Sequence, residues 1–547
     1  MSDRARRGLP SPTSAPPRSG LGVGAVLERQ AARLGDRPFL NCPDARLTYR
    51  ELDELAGRTA GLLRSLGVGP GDLVPVLSGN LAAVVVAWFA CARLGAIFAP
   101  VNSLLSGESL ADVLRHSNAR LILCDPVRCA RVAALRPQLP ALARLIVFGG
   151  PVPSGTLSFD QLVSRSPRWE ERRTREEPGA LSKLLYTSGT TGTPKGALWS
   201  RQCEAVWTRA YGDELLPIAE GEMLYTCLPL SHVTAQGTVM AALWRGGQVT
   251  VDLGFRPLTF WGRVRAVGAV GFTFVGTILA VLAGRPNRPD DGDNPVRRIV
   301  GAATPAASWR EIERRFRVTI VETWGQTETA SCWMRPERLP QRPGTLGVPS
   351  PRFVARLASV EEGAKVAVGA VGELWMRPTS PHVMFEGYLR DGEGAPPWTP
   401  DGWYRTGDLM RQEPDGAYVF VGRLREAIRR RGELIPAGTV ERAALADPAV
   451  VQAAAVGVPD DRGVEEEIKL CVVGRNGEQL DPGALHASLG RRLPGFMVPR
   501  YIDVRSALPT TPSTRVRRVE LARAGIEGVW DARRPRQSRV AAPNDLA

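Results

Sequence analysis

Between residues 186 and 196 the chain reads Tyr-Thr-Ser-Gly-Thr-Thr-Gly-Thr-Pro-Lys-Gly. Glycine lets a backbone turn tightly and come close to a ligand. The amides and hydroxyls of Thr187, Ser188, Gly189, Thr190, Thr191, Gly192 and Thr193 can then surround an anion, and Lys195 adds a mobile point charge. A polyphosphate is the simplest ligand for such a loop. The string differs from the G-x-x-x-x-G-K-[ST] phosphate loop, because no Gly-Lys pair in that order occurs in it.

Four more strings carry groups suited to chemistry. Leu228-Pro229-Leu230-Ser231-His232 puts a histidine between an apolar strand pattern and an apolar helix pattern. Trp324-Gly325-Gln326-Thr327-Glu328 offers an indole face for a base and a hard carboxylate oxygen for Mg²⁺. Gly402-Trp403-Tyr404-Arg405-Thr406-Gly407-Asp408 ends in a carboxylate able to accept from two ribose hydroxyls, with the Arg423 cation a little further on. Residues 508–518 form a basic loop that includes Thr514 and Arg515. Alone, each string also fits a structural role, such as a core or loop histidine at position 232.

These groups need a scaffold, and the hydrophobic pattern supplies one. Leu184-Leu185-Tyr186 reads as a buried strand feeding the glycine-rich loop. Thr48-x-x-Glu51 is a capping box opening a helix from Tyr49 to about Leu66. Strand patterns at 73–77, 97–100, 120–124 and 145–148 alternate with helix patterns at 81–93 and 108–116. A second series has strands at 223–228, 248–251, 271–275, 298–300 and 319–322, with helices at 238–243 and 308–316. Such alternation implies α/β layers of parallel strands covered by helices. Residues 164–178 read as a charged surface connection. After Gly344, short strands at 354–357, 372–376 and 417–421 suggest a β-rich subdomain. From about 427 a compact α+β unit follows, with helices at 437–446 and 482–493 and strands at 450–456, 468–473 and 501–504. The expected organisation is a disordered tail over 1–24, a large N-terminal domain over 25–422, a hinge at 423–426, a small mobile domain over 427–524 and a disordered tail over 525–547.

At 547 residues the chain exceeds one ordinary core. A hydrophobic share of 44% and a charged share of 23% are those of a soluble globular protein. The net charge of +14 does not point to nucleic acid, because the basic residues are scattered and not interleaved with aromatics. Lysine occurs only at 183, 195, 365 and 469, and every other basic residue among the 70 is arginine. Cys42, Cys91, Cys124, Cys129, Cys203, Cys227, Cys332 and Cys471 stand singly, with no zinc spacing, as reduced cytosolic thiols would. The N-terminal stretch is rich in Pro, Ser and Arg and has no apolar core of a secretory signal. Residues 266–284 are long and uncharged enough to test for a membrane span, but Gly268, Gly271, Gly276 and Phe272-Thr273-Phe274-Val275 read as strand, turn and helix. The expectation is therefore a cytoplasmic protein with neither nucleic-acid nor membrane partners.

In this order, the strings resemble the adenylate-forming superfamily of acyl-CoA synthetases, nonribosomal peptide adenylation domains and firefly luciferase. The resemblance covers roughly residues 25–522. Asp293-Asn294-Pro295-Val296-Arg297, 228–236 and 426–433 look like the crotonobetaine/carnitine–CoA ligase branch. It implies an AMP-forming ligase using ATP and Mg²⁺. An acid is joined to the α-phosphate with release of pyrophosphate and is then passed to an acceptor, usually the CoA thiol. It also implies three N-terminal subdomains and a C-terminal domain that rotates about a hinge at Arg425-Glu426. Thr187 to Lys195 would grip the β- and γ-phosphates. Thr327 would bind the α-phosphate, and Thr191 and Glu328 would bind Mg²⁺. Thr323, Trp324, Gly325, Ala302 and Ala303 would line the adenine cleft, and Asp408 and Arg423 would fix the ribose. His232, Val233, Gly276, Thr277, Gly301 and Gly325 would line the acid pocket. The catalytic set would be Lys195, His232, Glu328 and Arg515.

One position departs from that family. Its last-domain loop reads P-x-x-G-K, whereas here Thr514-Arg515 stands in place of Gly-Lys. Arginine keeps the charge but presents a broad planar fork, and threonine restricts the backbone. The departure leaves room for a secondary-metabolism member with a non-CoA acceptor, either an amide ligase or a nitrite-activating diazotase with an arylamine acceptor. It also leaves room for a catalytically impaired nucleotide-binding homologue.

Overall fold

The computed structural model describes residues 22–170, 177–187, 195–330, 334–335, 342–389, 398–430, 433–461, 466–475, 480–510 and 516–534. The chain divides into two compact units, one of residues 1–354 with 378–396 and one of residues 355–377 with 397–547.

The first unit is built on two sheets. In the eight-stranded sheet the order is Gly387–Tyr388, Lys195–Ser200, Leu181–Thr187, Ile97–Val101, Leu73–Leu77, Leu121–Cys124, Arg144–Val147 and Leu157–Ser158. Its strands from Leu181–Thr187 onward are parallel, and Lys195–Ser200 returns antiparallel. The seven-stranded sheet runs Thr319–Glu322, Arg298–Ala302, Ala269–Val275, Met223–Thr226, Gln248–Val251, Pro38–Asn41 and Arg46–Thr48, parallel except for the last. Central parallel strands covered on both faces must be apolar along their length. Ile97–Val101 and Leu121–Cys124 are accordingly buried at every residue.

The helices follow the sequence signals. Tyr49–Ser65 opens on the expected capping box: Glu51 N donates to Thr48 Oγ1 at 3.1 Å, and Thr48 N donates to Glu51 Oε2 at 2.8 Å. Ala82–Leu94 is apolar nearly all round, and Val85, Ala87, Phe89 and Cys91 have no exposed surface. A helix without a polar face belongs in a core. The 266–284 stretch is strand Ala269–Val275 followed by helix Gly276–Ala283. Among the described residues, no helix is long and apolar enough to cross a membrane. The seven cysteines within them are all buried and unpaired. Cys332 lies outside the described residues.

A four-stranded sheet, most of which lies in the second unit, is ordered Phe353–Ala358, Val371–Pro378, Tyr404–Gln412 and Tyr418–Arg423, the last three antiparallel. A further sheet is ordered Val450–Pro459, Glu466–Gly474, Tyr501–Arg505 and Trp530–Asp531 and packs with helices Ala437–Leu445 and Pro482–Gly490.

Two boundaries need correction. The expected N-terminal tail over 1–24 ends early, because helix Val23–Leu34 begins inside it and buries Val23 and Gly24, with Gly24 against Ala92. The connection expected at 164–178 is exposed or half-buried where it is described, and Arg168 ties it down by pairing with Asp53 at 2.6 Å and Glu54 at 2.8 Å. The C-terminal tail expected from 525 is structured through 534. Trp530 pairs with Ile502 and packs on His486 at 5.2 Å, and Asp531 accepts from Arg500 at 3.2 Å.

Candidate functional site

Four parallel strands of the seven-stranded sheet end on one edge, and the segment after each carries expected site residues. Cys227 to His232 follow Met223–Thr226, Gly276 and Thr277 follow Ala269–Val275, Ala303 follows Arg298–Ala302, and Thr323 to Glu328 follow Thr319–Glu322. The carboxyl ends of parallel strands are where open α/β sheets bind ligands.

The backbones approach closely at this edge. A Cβ on Gly276 would lie 1.8 Å from Ala303 O, so only glycine fits there. Ala303 itself holds a left-handed φ of 65°. Thr323 N donates to Gly301 O at 2.9 Å. The Glu322 carboxylate spans the same two segments, accepting from Ala303 N at 2.7 Å, from Thr304 N at 3.2 Å and from the Thr304 hydroxyl. Burial outweighs these donors and pushes the Glu322 carboxyl up to about 7. Sequence reading missed Glu322, although its place at the strand end just before Thr323-Trp324 was a usable signal.

His232 caps helix Val233–Arg245 from an exposed position, with Nδ1 3.2 Å from Thr234 Oγ1, while Val233 is buried behind it. Ala302, Ala303, Gly325 and Thr277 are exposed, whereas Trp324 and Glu328 are buried. Glu328 Oε1 accepts from the Tyr388 hydroxyl at 2.7 Å, and Phe385 N donates to Glu328 O at 3.0 Å. The Lys195 ammonium sits 5.4 Å from the centroid of the Tyr388 ring. Lys195 faces Thr187 across the antiparallel pair at the base of the glycine-rich loop, and Trp199 on the same strand donates Nε1 to Thr327 O at 2.8 Å. The structure thus brings Thr187, Lys195, Thr327 and Glu328 to one place, joined by Tyr388 and Trp199. Neither aromatic was singled out in the sequence. Tyr388 lies on a two-residue edge strand that leaves no periodic trace.

Ser188, Gly189, Thr190, Thr191, Gly192, Thr193 and Arg515 lie outside the described residues. In the second unit, Asp408 and Arg423 are paired across neighbouring strands, with Arg423 Nε 3.6 Å from Asp408 Oδ1. Among the described residues, no group of three or more His, Cys, Asp or Glu is arranged to hold a metal. Mg²⁺ does not require one, because it is usually held by one or two carboxylates together with phosphate oxygens. Glu328 fits that role: Tyr388 engages one carboxylate oxygen, and no described residue engages the other. The Thr323 hydroxyl is buried without a partner among the described residues, a free donor beside the edge. A cavity of about 700 Å³ lies elsewhere in the first unit, lined by Asp252, Trp261, Arg263, Arg285 and Arg315 among others, and it includes none of the expected site residues.

Residues 27–389 match the model of the AMP-binding enzyme family, and residues 439–515 match the model of its C-terminal domain. The chain belongs to the AMP-binding enzyme family. It is an AMP-forming ligase of the adenylate-forming superfamily, as the ordered strings implied. It is 32% identical to a sulfoacetate–CoA ligase of Cupriavidus necator, over 91% of this chain and 97% of that protein. It is 26% identical to a crotonobetaine/carnitine–CoA ligase of Salmonella paratyphi A, over 86% of this chain and 92% of that one. Its fold resembles a crystal structure of an anthranilate–CoA ligase in complex with anthranoyl-AMP, with a TM-score of 0.83 at 23% identity over 92% of this chain and 97% of that chain.

Proposed function

We propose that this AMP-binding enzyme uses ATP to activate an organic acid as its AMP anhydride and then transfers the acyl group to the thiol of CoA. The observation that supports this reading is the gathering of His232, Gly276, Ala303 and Trp324 to Glu328 along one sheet edge, with Lys195 held beside Glu328 by Tyr388. Attack of a carboxylate on an α-phosphate builds negative charge on phosphoryl oxygens, so positioning and cations do most of the work. In this reading Thr187 to Lys195 hold the pyrophosphate that leaves. Thr327 orients the α-phosphate. Trp324 with Ala302 and Ala303 flanks adenine, and Asp408 and Arg423 take the ribose hydroxyls. His232 and Val233 with Gly276, Thr277 and Gly301 receive the acid. Glu328 and Thr191 would hold Mg²⁺, which when bound supplies positive charge to the phosphate oxygens. Residues 423–426 serve as the hinge of the C-terminal domain, and the enzyme works in the cytoplasm.

The relatives' names span sulfoacetate, indoleacetate and ferulate, which sets the first panel of acids. The test is AMP and pyrophosphate release with this panel and with nitrite, with and without CoA or an arylamine. CoA-dependent turnover of a carboxylic acid is the expected result. Thr514-Arg515 leaves room for the second reading, a non-CoA acceptor such as an amine. Turnover that needs an amine and ignores CoA would replace the first reading with the second. ATP binding without turnover of any acid would leave an impaired nucleotide-binding homologue.

A further inference from the structure

Lys183 is one of the few lysines kept in a chain that otherwise uses arginine. It lies on strand Leu181–Thr187 with no exposed surface. Burying an ammonium costs several kcal/mol unless its charge and protons find partners. Nζ lies 2.8 Å from Glu204 Oε1 and donates to Gln236 Oε1 at 2.8 Å. Three indoles surround it, with ring centroids 4.3 Å away for Trp88, 4.6 Å for Trp207 and 5.2 Å for Trp199. Each indole presents its negative face to a cation. Trp88 Nε1 also donates to Glu204 Oε1 at 2.8 Å, which fixes the counter-ion. Burial draws the Lys183 ammonium pKa down, and Glu204 and then Cys203 pull it back up. A compact ammonium fits among the three rings at these distances, whereas arginine would bring a wider planar fork.

Two arms leave this cage for the site. The ammonium accepts no hydrogen bond, so Gln236 must turn its oxygen to Lys183 and its amide nitrogen the other way. That nitrogen donates to Leu230 O at 2.7 Å, two residues before His232. Trp199, whose ring forms one wall, donates to Thr327 O at 2.8 Å, one residue before Glu328. The strand that carries Lys183 ends at Thr187, the first residue of the expected phosphate-loop set.

We propose that Lys183 is a positioning residue, whose ammonium orients Gln236 and Trp199 and so holds the Leu230–His232 and Thr327–Glu328 segments in register with the strand leading to the phosphate loop. The kinetic part rests on the proposed reaction, while the structural part does not.

The test uses Lys183→Met with Glu204→Gln, which removes both buried charges together, and separately Gln236→Met, which cuts one arm and leaves the cage. In both proteins KM for the acid should rise about tenfold, the scale of a small misplacement at a reacting centre. KM for ATP should stay within about threefold in Gln236→Met, which leaves the Trp199 arm intact, and should rise more than that in the double variant, which also frees Thr327–Glu328. A smaller folded fraction alone would lower kcat and leave both KM values unchanged. Backbone amide exchange gives a readout that needs no turnover. Protection over residues 228–232 should fall in both variants, and protection over 324–328 should fall only in the double variant. Unchanged exchange in both segments of a folded double variant would overturn the proposal. Altered exchange in an enzyme that turns over no acid would instead overturn the assigned reaction and leave the positioning role standing.

Discussion

The hydroxyl of Tyr388 donates to Glu328 Oε1 across 2.7 Å, and the ring of the same residue faces the Lys195 ammonium at 5.4 Å. One aromatic side chain therefore sets the distance between the cation at the end of the glycine-rich loop and the carboxylate of the Trp-Gly-Gln-Thr-Glu string. A hydrogen bond to a charged group is worth about 1.5–3 kcal/mol. Tyr388→Phe keeps the ring beneath Lys195 and removes the donor. Adenylation, read as acid-dependent pyrophosphate release, should fall by roughly tenfold to a hundredfold by that measure. An unchanged rate would show that Glu328 is held well enough by the Phe385 amide alone.

Glu322 predicts a pH effect on stability. Burial pushes its carboxyl up to about 7 in the folded protein, whereas an unfolded glutamate titrates near ~4.3. The native state therefore binds more protons than the unfolded state between these values, and stability falls as pH rises through that window before levelling off. The lost stability amounts to roughly 3 kcal/mol, at about 1.4 kcal/mol per tenfold in proton affinity. Glu322→Gln is neutral throughout. From pH 5 to pH 8, the difference in melting temperature between variant and wild type should move in favour of the variant. A constant offset across that range would place the Glu322 titration below pH 5.

How far the sequence could be read depended on whether a residue's role is local. Thr48 and Glu51 lie three positions apart, so their reciprocal bonds are written in the chain itself. The strands ending near residues 226, 275, 302 and 322 are apolar runs closed by glycine or polar residues, and the chemical strings follow them directly. Parallel pairing then brings those strings to one edge. Lys183 is opaque for the opposite reason. A lysine interrupting an apolar strand gives no sign of Trp88, Trp207 and Gln236, which are distant in sequence. Tyr404–Gln412 mixes charged and apolar residues, so the strand that carries Asp408 leaves only a weak alternation. The basic run after Trp530 hides a small edge strand anchored by the Trp530 indole and by the Asp531–Arg500 pair.

The capping box gives a stability prediction independent of any activity. Thr48→Ala removes the acceptor for Glu51 N at the start of Tyr49–Ser65 and leaves an amide without its partner. The expected loss is about 1 kcal/mol in denaturant unfolding. Turnover per folded molecule should be unchanged, because the helix start carries none of the proposed site residues. A loss below about 0.3 kcal/mol would show that water replaces the threonine hydroxyl fully.

Arginine use separates two kinds of cation in this chain. Lys183 and Lys469 are both fully buried, the latter between Asp503 at 3.0 Å and the carbonyls of Leu521 and Gly525. Lysine is thus kept at two enclosed positions and at Lys195 beside Tyr388, and also at the exposed Lys365. In the proposed reaction, Arg515 would take the place of the lysine that the resembled family sets against the acid and the α-phosphate. Arginine there would bring a broad planar fork in place of a compact ammonium. Arg515→Ala should lower adenylation by more than about tenfold, the scale of losing one charge-stabilising group. Arg515→Lys should restore little of it, since threonine at 514 restricts backbone conformation more than glycine would. The pair Thr514→Gly with Arg515→Lys should recover more than the single change. Pyrophosphate release measured with all three variants decides the point. Full activity in Arg515→Ala would remove this loop from the reaction.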